Sequence, residues 1–503
     1  MGTIHIKLPE SLQTAKAEKL HPTYFTGLPD YMPWVTDVQI INGELCAGKE
    51  VSESGCLCVP YQFPQAMNRQ SWPSNGQWPI MLMTATLVER LESYRLLTEL
   101  ARGKVNQLRN QAADWVSGGL EMPTELNQQI TEASKLFCKA VCEPSESIAD
   151  QEATDALIKA ITVGEKLVDV YIEQVLAARQ LRMPKLTTLQ GCTVVRPITE
   201  HLEAFKAAFN TVRIPINWAV IEAEEGQFDW DSLDSLMAWA KPLGMTVELG
   251  PILNLCPSHI PKWTNALLGN PDALVGAILS FTETVIERYR DEVKYWHLTS
   301  GTNDPSLLEV DEEESLNLNL QMASIMQELH PSGEFSLCLS QPWGESVATG
   351  QPAYSPFVFA DALIRSRINV TALELELLMG IEPRGSHLRD RLDISRILDL
   401  YGLLGVPIRL TLGMPSSNAP DSQADATYQV LASLPDISNE FQKAWVEQAG
   451  LLTICKPYVS GINWVHWNDR DAHVFPNCGL IDSQGNIKPT LDILTQFREK
   501  YLL

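Results

Sequence analysis

Positive charge is scarce in this 503-residue chain. Lys and Arg number 38 against 62 Asp and Glu, a formal net charge of −24 at pH 7. Phosphate backbones and anionic membranes are held by clustered Lys and Arg, so this deficit argues against nucleic acid and membrane surfaces as partners. By itself it describes a well-solvated acidic surface. Long hydrophobic runs are missing too, with no stretch near the ~18 apolar residues of a spanning helix. The amino terminus, MGTIHIKLPE, lacks the apolar core of a secretion signal, and Ile6 stands where a myristoylation pattern needs Ser or Thr. The ten cysteines show no organised spacing. Cys56-x-Cys58 and Cys138-x₃-Cys142 match neither a zinc ribbon nor a disulfide framework. Cys192 and Cys338 sit inside apolar strand segments, as buried free thiols do. These absences predict a reducing, cytoplasmic compartment. No nucleotide or flavin motif occurs, and His466 and His473 with Asp469 and Asp471 have only generic spacing, so neither cofactor nor metal is expected.

What is present falls into three regions. Residues 1–83 carry short strand candidates such as VQIINGELCAG (38–48), where Asn42-Gly43 signals a hairpin, and GCLCVPYQF (55–63). They predict a small β-rich module. Residues 84–183 turn helical, with apolar residues at three- and four-residue steps through 87–116, 124–142 and 148–182. From 184 to 503 strand and helix alternate. Strand candidates are 189–194, 211–218, 246–252, 293–300, 335–340, 370–377, 407–412 and 461–467, each followed by an amphipathic helix pattern. Eight such units predict an α/β fold closed as a (β/α)₈ barrel. A doubly wound open sheet is disfavoured because no glycine-rich phosphate loop follows the first strand.

Strand parity then assigns faces, since alternate side chains point into and out of a barrel. On the sixth strand, VTALELEL, Leu373, Leu375 and Leu377 face the helices, which turns Ala372, Glu374 and Glu376 inward. On the second, Arg213 and Asn217 face inward, and on the third Glu248 does. An unpaired interior charge is costly, so Arg213 and Glu248 are expected to pair as part of the barrel interior, with Glu374 nearby. Glu376 lies nearer the carboxyl end of its strand, where such barrels keep their chemistry.

Five stretches stand in order along the barrel region: IEAEEGQFDWDSLDSLMAWAKPLGM (221–245), HIPKW (259–263), RYRDEVKYWHLTSGTND (288–304), LGVPIRLT (404–411) and GINWVHWNDRDAHVFPNCGLIDSQGNIKP (461–489). They resemble glycoside hydrolase family 10, the xylanase family, in a divergent bacterial subgroup with an amino-terminal β module. In order they cover about residues 185–503. The resemblance implies a barrel that acts on a xylan-like β-linked polysaccharide or oligosaccharide, with carbohydrate as its partner.

The resemblance breaks where the family keeps its catalytic acids. Its fourth strand ends Trp-Asp-Val-Val-Asn-Glu, the Glu being the general acid/base; here Trp296, His297, Leu298, Thr299, Ser300 and Gly301 stand in those places. Its seventh strand carries the nucleophile in Thr-Glu-Leu-Asp, against Thr411-Leu412-Gly413-Met414 here. The histidines expected after the third strand are missing as well. Glycoside hydrolysis normally needs two carboxyl groups, roughly 5–5.5 Å apart for retention or 6.5–9.5 Å for inversion. Glycine and leucine supply neither. The replacement candidates are Glu345, in SQPWGES after the fifth strand, and Glu376. Trp343, Trp464, Trp467, Asn217 and Asp469 are the candidate substrate contacts. Two readings follow: a hydrolase with relocated carboxylates, or an inactive carbohydrate-binding barrel or scaffold.

Overall fold

The computed structural model describes residues 2–13, 20, 22–63, 78–304, 308, 310–350, 354–366, 368–434 and 436–503. Eight parallel strands close a barrel: β1 Leu189–Thr193, β2 Thr211–Ile214, β3 Thr246–Leu249, β4 Tyr295–Ser300, β5 Glu334–Leu339, β6 Ala372–Leu378, β7 Ile408–Gly413 and β8 Val459–Trp464. Closure comes from Gly461 of β8 opposite Leu189 of β1. The β3–β4 pairing is short, through Glu248↔Tyr295 and Leu249↔Trp296. Leu373, Leu375 and Leu377 are fully buried under the helices, as the alternation on β6 requires. Local signals set the helix starts. Asp311 and Glu314 form a reciprocal capping box at the head of Glu312–Leu329.

Three strands end well short of the sequence reading, and β3 stops at Leu249 rather than at residue 252. β2 stops at Ile214 because Pro215, which follows, has no N–H to donate to the ladder. β8 runs from Val459 to Trp464 rather than to Trp467. The segment from Val465 onward is therefore loop, and its side chains follow loop contacts instead of strand parity.

Ahead of the barrel, strands Gly2–Lys7, Thr36–Ile41, Glu44–Lys49 and Tyr94–Arg95 make one sheet, and Tyr24–Thr26, Cys56–Tyr61 and Ile80–Met83 a second. The hairpin turn is Asn42-Gly43, both at positive φ (53° and 80°), which suits the right-handed twist of the flanking strands. Three helices follow: α1 Leu96–Ser117, α2 Thr124–Cys142 and α3 Glu146–Arg182. No helix among the described residues is long and apolar enough to cross a membrane.

The amino-terminal regions grip the barrel through the loop between β6 and the helix Arg391–Gly402. The Met81 N–H donates to the Leu388 carbonyl (2.9 Å), Lys104 pairs with Asp390, and Glu165 of α3 pairs with Arg391. All four charged side chains are buried. Gly164 permits the close approach, since a Cβ there would lie 2.8 Å from Leu392 Cδ1. Arg179, near the end of α3, donates to the carbonyls of Ile454, Cys455 and Lys456 at the end of the helix Asn439–Cys455. That loop is one anchor between the barrel and the regions that precede it, and the end of the helix Asn439–Cys455 is a second.

Candidate functional site

A cavity of about 650 Å³ opens at the carboxyl ends of the barrel strands. Its depth is set by charge pairing beneath it. Arg213 donates from Nε to Glu248 (2.9 Å) and from Nη1 and Nη2 to the two oxygens of Glu374 (2.6 and 2.9 Å). Arg409 donates to the other Glu248 oxygen at 2.5 Å, and Thr411 bonds Glu374. Burial pushes the Glu374 carboxyl up, but the Arg213 charge together with the hydrogen bonds from Arg213 and Thr411 outweighs it and holds Glu374 well below the usual carboxylate range. Each charge has a partner, the condition under which a buried ion cluster is tolerated.

His297, on β4, lies beside this layer and faces the cavity. It is 3% exposed, and neither ring nitrogen has a hydrogen-bond partner among the described residues. Its Nε2 stands 4.0 Å from Glu374 Oε2, too far for a hydrogen bond. Burial lowers its pKa, so the imidazole is neutral, with one donor and one acceptor unmet. Each unmet group costs about 1–3 kcal/mol.

Higher on the wall, Glu376 of β6 is spent. Arg384, from the loop after β6, donates to both its oxygens (Nε at 2.7 Å, Nη2 at 2.6 Å). Ser300 Oγ donates to Oε1 at 2.9 Å and Ser340 Oγ to Oε2 at 2.6 Å. Burial raises the Glu376 carboxyl, but the Arg384 charge and these hydrogen bonds leave it below its ordinary value. Gly301, which ends the fourth-strand motif, has φ +83°, and a Cβ built on it would lie 3.2 Å from the Arg384 guanidinium carbon. An arginine therefore fills the space into which a side chain at 301 would project.

The rim is rich in histidine. His466 shares a hydrogen bond with Asp469 (3.0 Å) and stacks on His473, ring centroids 4.2 Å apart. His473 in turn bonds Asp421 at 2.9 Å. Burial pulls His466 and His259 down to about 4, so both are neutral near pH 7. His466, Asp469 and His473 have the composition of a metal-ligand set, but Asp469 already accepts from Lys488 Nζ at 2.6 Å. A fixed ammonium at that oxygen disfavours a second cation. Asp425 also lines the cavity; burial raises its carboxyl, and hydrogen bonds from Ser258, Thr427 and Cys256 bring it down to about 2.

Of the candidate catalytic and substrate-contact residues, Glu376 and Asn217 line this cavity, and so do Arg213, His466 and His473 from the other residues singled out in the sequence. Asn217 also caps a short helix, accepting from the Val220 N–H. The proposed partner of Glu376 does not share the cavity. Glu345 is buried beneath the amino-terminal module, bonded to Arg389 at 2.5 Å, while Arg389 also reaches the Tyr24 hydroxyl and Asp393. Adjacent strands bring their ends together, but the turn after β5 carries Glu345 outward. The tryptophans follow the same pattern. Trp343 packs against the Arg389 guanidinium (4.7 Å), Trp464 donates to the Cys478 carbonyl (2.8 Å), and Trp467 sits edge-on against Phe205 (5.1 Å). All three are core residues and none lines the central cavity. Asp469 is held by Lys488, His466 and the Gly479 N–H, so it positions the rim histidine. Leu412 is buried in the main core between Leu377 and Trp464 in register, while its neighbour Thr411 faces the lumen.

Sequence reasoning missed Arg384 and His297. Two inward acids on one strand demand cations, and Arg213 supplies one; the first Arg after β6 was a legible candidate for the other. His297 occupies an inward position of an otherwise apolar and hydroxylic strand, the pattern that marks a side chain kept for its polarity.

No family model matches the chain. Over 85 residues it is 28% identical to endo-1,4-beta-xylanase 3 of Hypocrea jecorina, a match taking in 17% of this chain and 24% of that enzyme. The chain thus spans about a quarter of the length of the curated relatives it matches. Among solved structures, xylanase B from Clostridium stercorarium F9 aligns over 61% of this chain and 96% of its own, with 15% identity and a TM-score of 0.45. Xylanase 10B from Thermotoga maritima aligns over 66% and 97%, with 13% identity and a TM-score of 0.46. The chain is similar to xylanases of glycoside hydrolase family 10.

Proposed function

We propose that this xylanase-like barrel binds a carbohydrate at its mouth and does not cleave it through a pair of carboxyl groups. The observation that carries the proposal is Arg384, seated against Gly301 and clamped on Glu376. Retaining or inverting hydrolysis needs one carboxyl that holds a proton near neutral pH and a second free to attack or to activate water. Among the described residues, the carboxylates lining the cavity are Glu376 and Asp425, and both sit below their ordinary pKa. Neither is a proton donor at pH 7. Carbohydrate as the ligand class rests on the motifs that resemble xylanases across residues 185–503.

Calorimetry with xylo-oligosaccharides, run beside a reducing-sugar assay on the same samples, tests this. Binding without release of reducing ends is the expected result. Release that disappears in Glu376→Gln would reinstate hydrolysis and overturn the proposal.

A further inference from the structure

The outer face of the first amino-terminal sheet gathers three groups that the barrel cavity does not use. Alternation along the strands Gly2–Lys7 and Glu44–Lys49 buries Ile4, Ile6, Leu45 and Ala47 beneath the sheet. It turns His5, Glu44 and Cys46 to the other side. His5 and Cys46 stand directly opposite in the antiparallel register, and Cys46 Sγ lies 3.4 Å from His5 Nδ1. Glu44 Oε2 approaches the same nitrogen at 3.9 Å, while its Oε1 accepts from Ser93 Oγ at 2.8 Å. The His5 and Glu44 side chains are 43% and 35% exposed, so solvent and ions reach them. Lys7, the residue in register with Glu44, sends its ammonium to Glu146 instead, at 2.5 Å.

We propose that His5, Cys46 and Glu44 form a surface site for a zinc-type divalent transition-metal ion, with water as the fourth ligand. Thiolate, imidazole and carboxylate are the donors such an ion takes. Spacing supports the set. Tetrahedral zinc, with bonds of ~2.3 Å to sulfur and ~2.05 Å to nitrogen or oxygen, holds S···N near ~3.5 Å and N···O near ~3.3 Å. Cys46 and His5 already stand at that separation, and a small turn of the half-exposed Glu44 closes the remainder. The rim set of His466, Asp469 and His473 differs, because Lys488 occupies its carboxylate. No lysine or arginine pairs with Glu44 among the described residues. Burial and the Glu44 charge push the Cys46 thiol up, so the ion must displace a proton, and binding strengthens as pH rises. His5 and Cys46 lie 41 residues apart, beyond any local metal motif, which is why the sequence alone pointed to no metal. None of the three lines the barrel cavity, so the site stands or falls apart from the carbohydrate reading.

The test titrates cobalt(II) into the full chain, reduced and stripped of metal by a chelator. The protein carries Cys138→Ser and Cys142→Ser, so that the two exposed cysteines contribute nothing. One ion per chain is expected, with a thiolate charge-transfer band that zinc abolishes by displacement. Adding Cys46→Ser should remove the band, and His5→Ala should weaken zinc binding at least ~10-fold in calorimetry. Glu44→Gln should weaken it as well. Thermal unfolding in chelator controls for damage to the sheet: the variants should match their parent there, and zinc should raise the Tm of the parent most. A parent protein without a thiolate band at stoichiometric cobalt would overturn the proposal, leaving a cross-strand hydrogen bond only. A band that survives Cys46→Ser would also overturn it, by placing the ion on another cysteine.

Discussion

Replacing Arg384 by Met removes the guanidinium while keeping much of its volume, and leaves Glu376 buried at 4% exposure with two hydroxyls as its remaining partners. An uncompensated buried charge costs about 3–5 kcal/mol. The reverse change, Glu376→Gln, strands a guanidinium that cannot shed its proton, at a similar cost. The double variant carries no stranded charge, so its loss should fall well short of the sum, with a coupling energy of at least about 2 kcal/mol. Urea unfolding followed by tryptophan fluorescence gives the three differences. The pH dependence adds an independent check. With Arg384 gone, burial, the largest influence on Glu376, is opposed only by the two hydroxyl hydrogen bonds and raises its pKa above the unfolded value. Its proton is then held more tightly in the folded state, so the Arg384→Met defect should be smaller at pH 5 than at pH 8. Losses that add within ~0.5 kcal/mol, or a defect indifferent to pH, would refute the view that Arg384 and Glu376 neutralise each other on the cavity wall.

The pH profile of the wild type should show a loss on acidification. His466 titrates near 4 when folded against about 6.5 unfolded, so the unfolded chain takes up the proton first. Its contribution of about 3 kcal/mol is complete above pH 6.5 and gone once pH has fallen through 4, as equilibrium unfolding at stepped pH would register. Glu165→Ala leaves Arg391 with the exposed Asp169 carboxylate and the residue-165 carbonyl as partners, so the loss should be about 3 kcal/mol or less, with hydrogen exchange rising first in the helices that the pair anchors. Trp464→Ala should cost about 3–5 kcal/mol in stability because its ring is 2% exposed in the core. At temperatures where that variant stays folded, its sugar affinity should match wild type; a selective loss of binding would return Trp464 to the ligand site.

Much of the barrel was legible because period-two alternation in a parallel strand is a local property. VTALELEL places Leu373, Leu375 and Leu377 under helices and Glu374 and Glu376 inside, whatever the rest of the chain does. The same rule put Arg213 and Glu248 into one interior layer, where they meet at 2.9 Å. The loops were not legible in this way. Nothing local to SQPWGES says that Glu345 will be captured by Arg389, one of whose other contacts, Tyr24, lies 365 residues away in sequence. The tryptophans misled for a related reason: an aromatic near a strand end suits a sugar face or a core equally well, and only the neighbours decide.

Sequence alone determined the architecture, the layer of buried charge and the vacancy at Gly301, because strand parity and motif order are written residue by residue. Tertiary structure decided what occupies that vacancy and which polar groups remain unmet at the floor. Arg384 reaches Gly301 from a different loop, and His297 finds no hydrogen-bond partner among the described residues, with Glu374 Oε2 standing 4.0 Å away. Both are sums over neighbours distant along the chain, which no local pattern encodes.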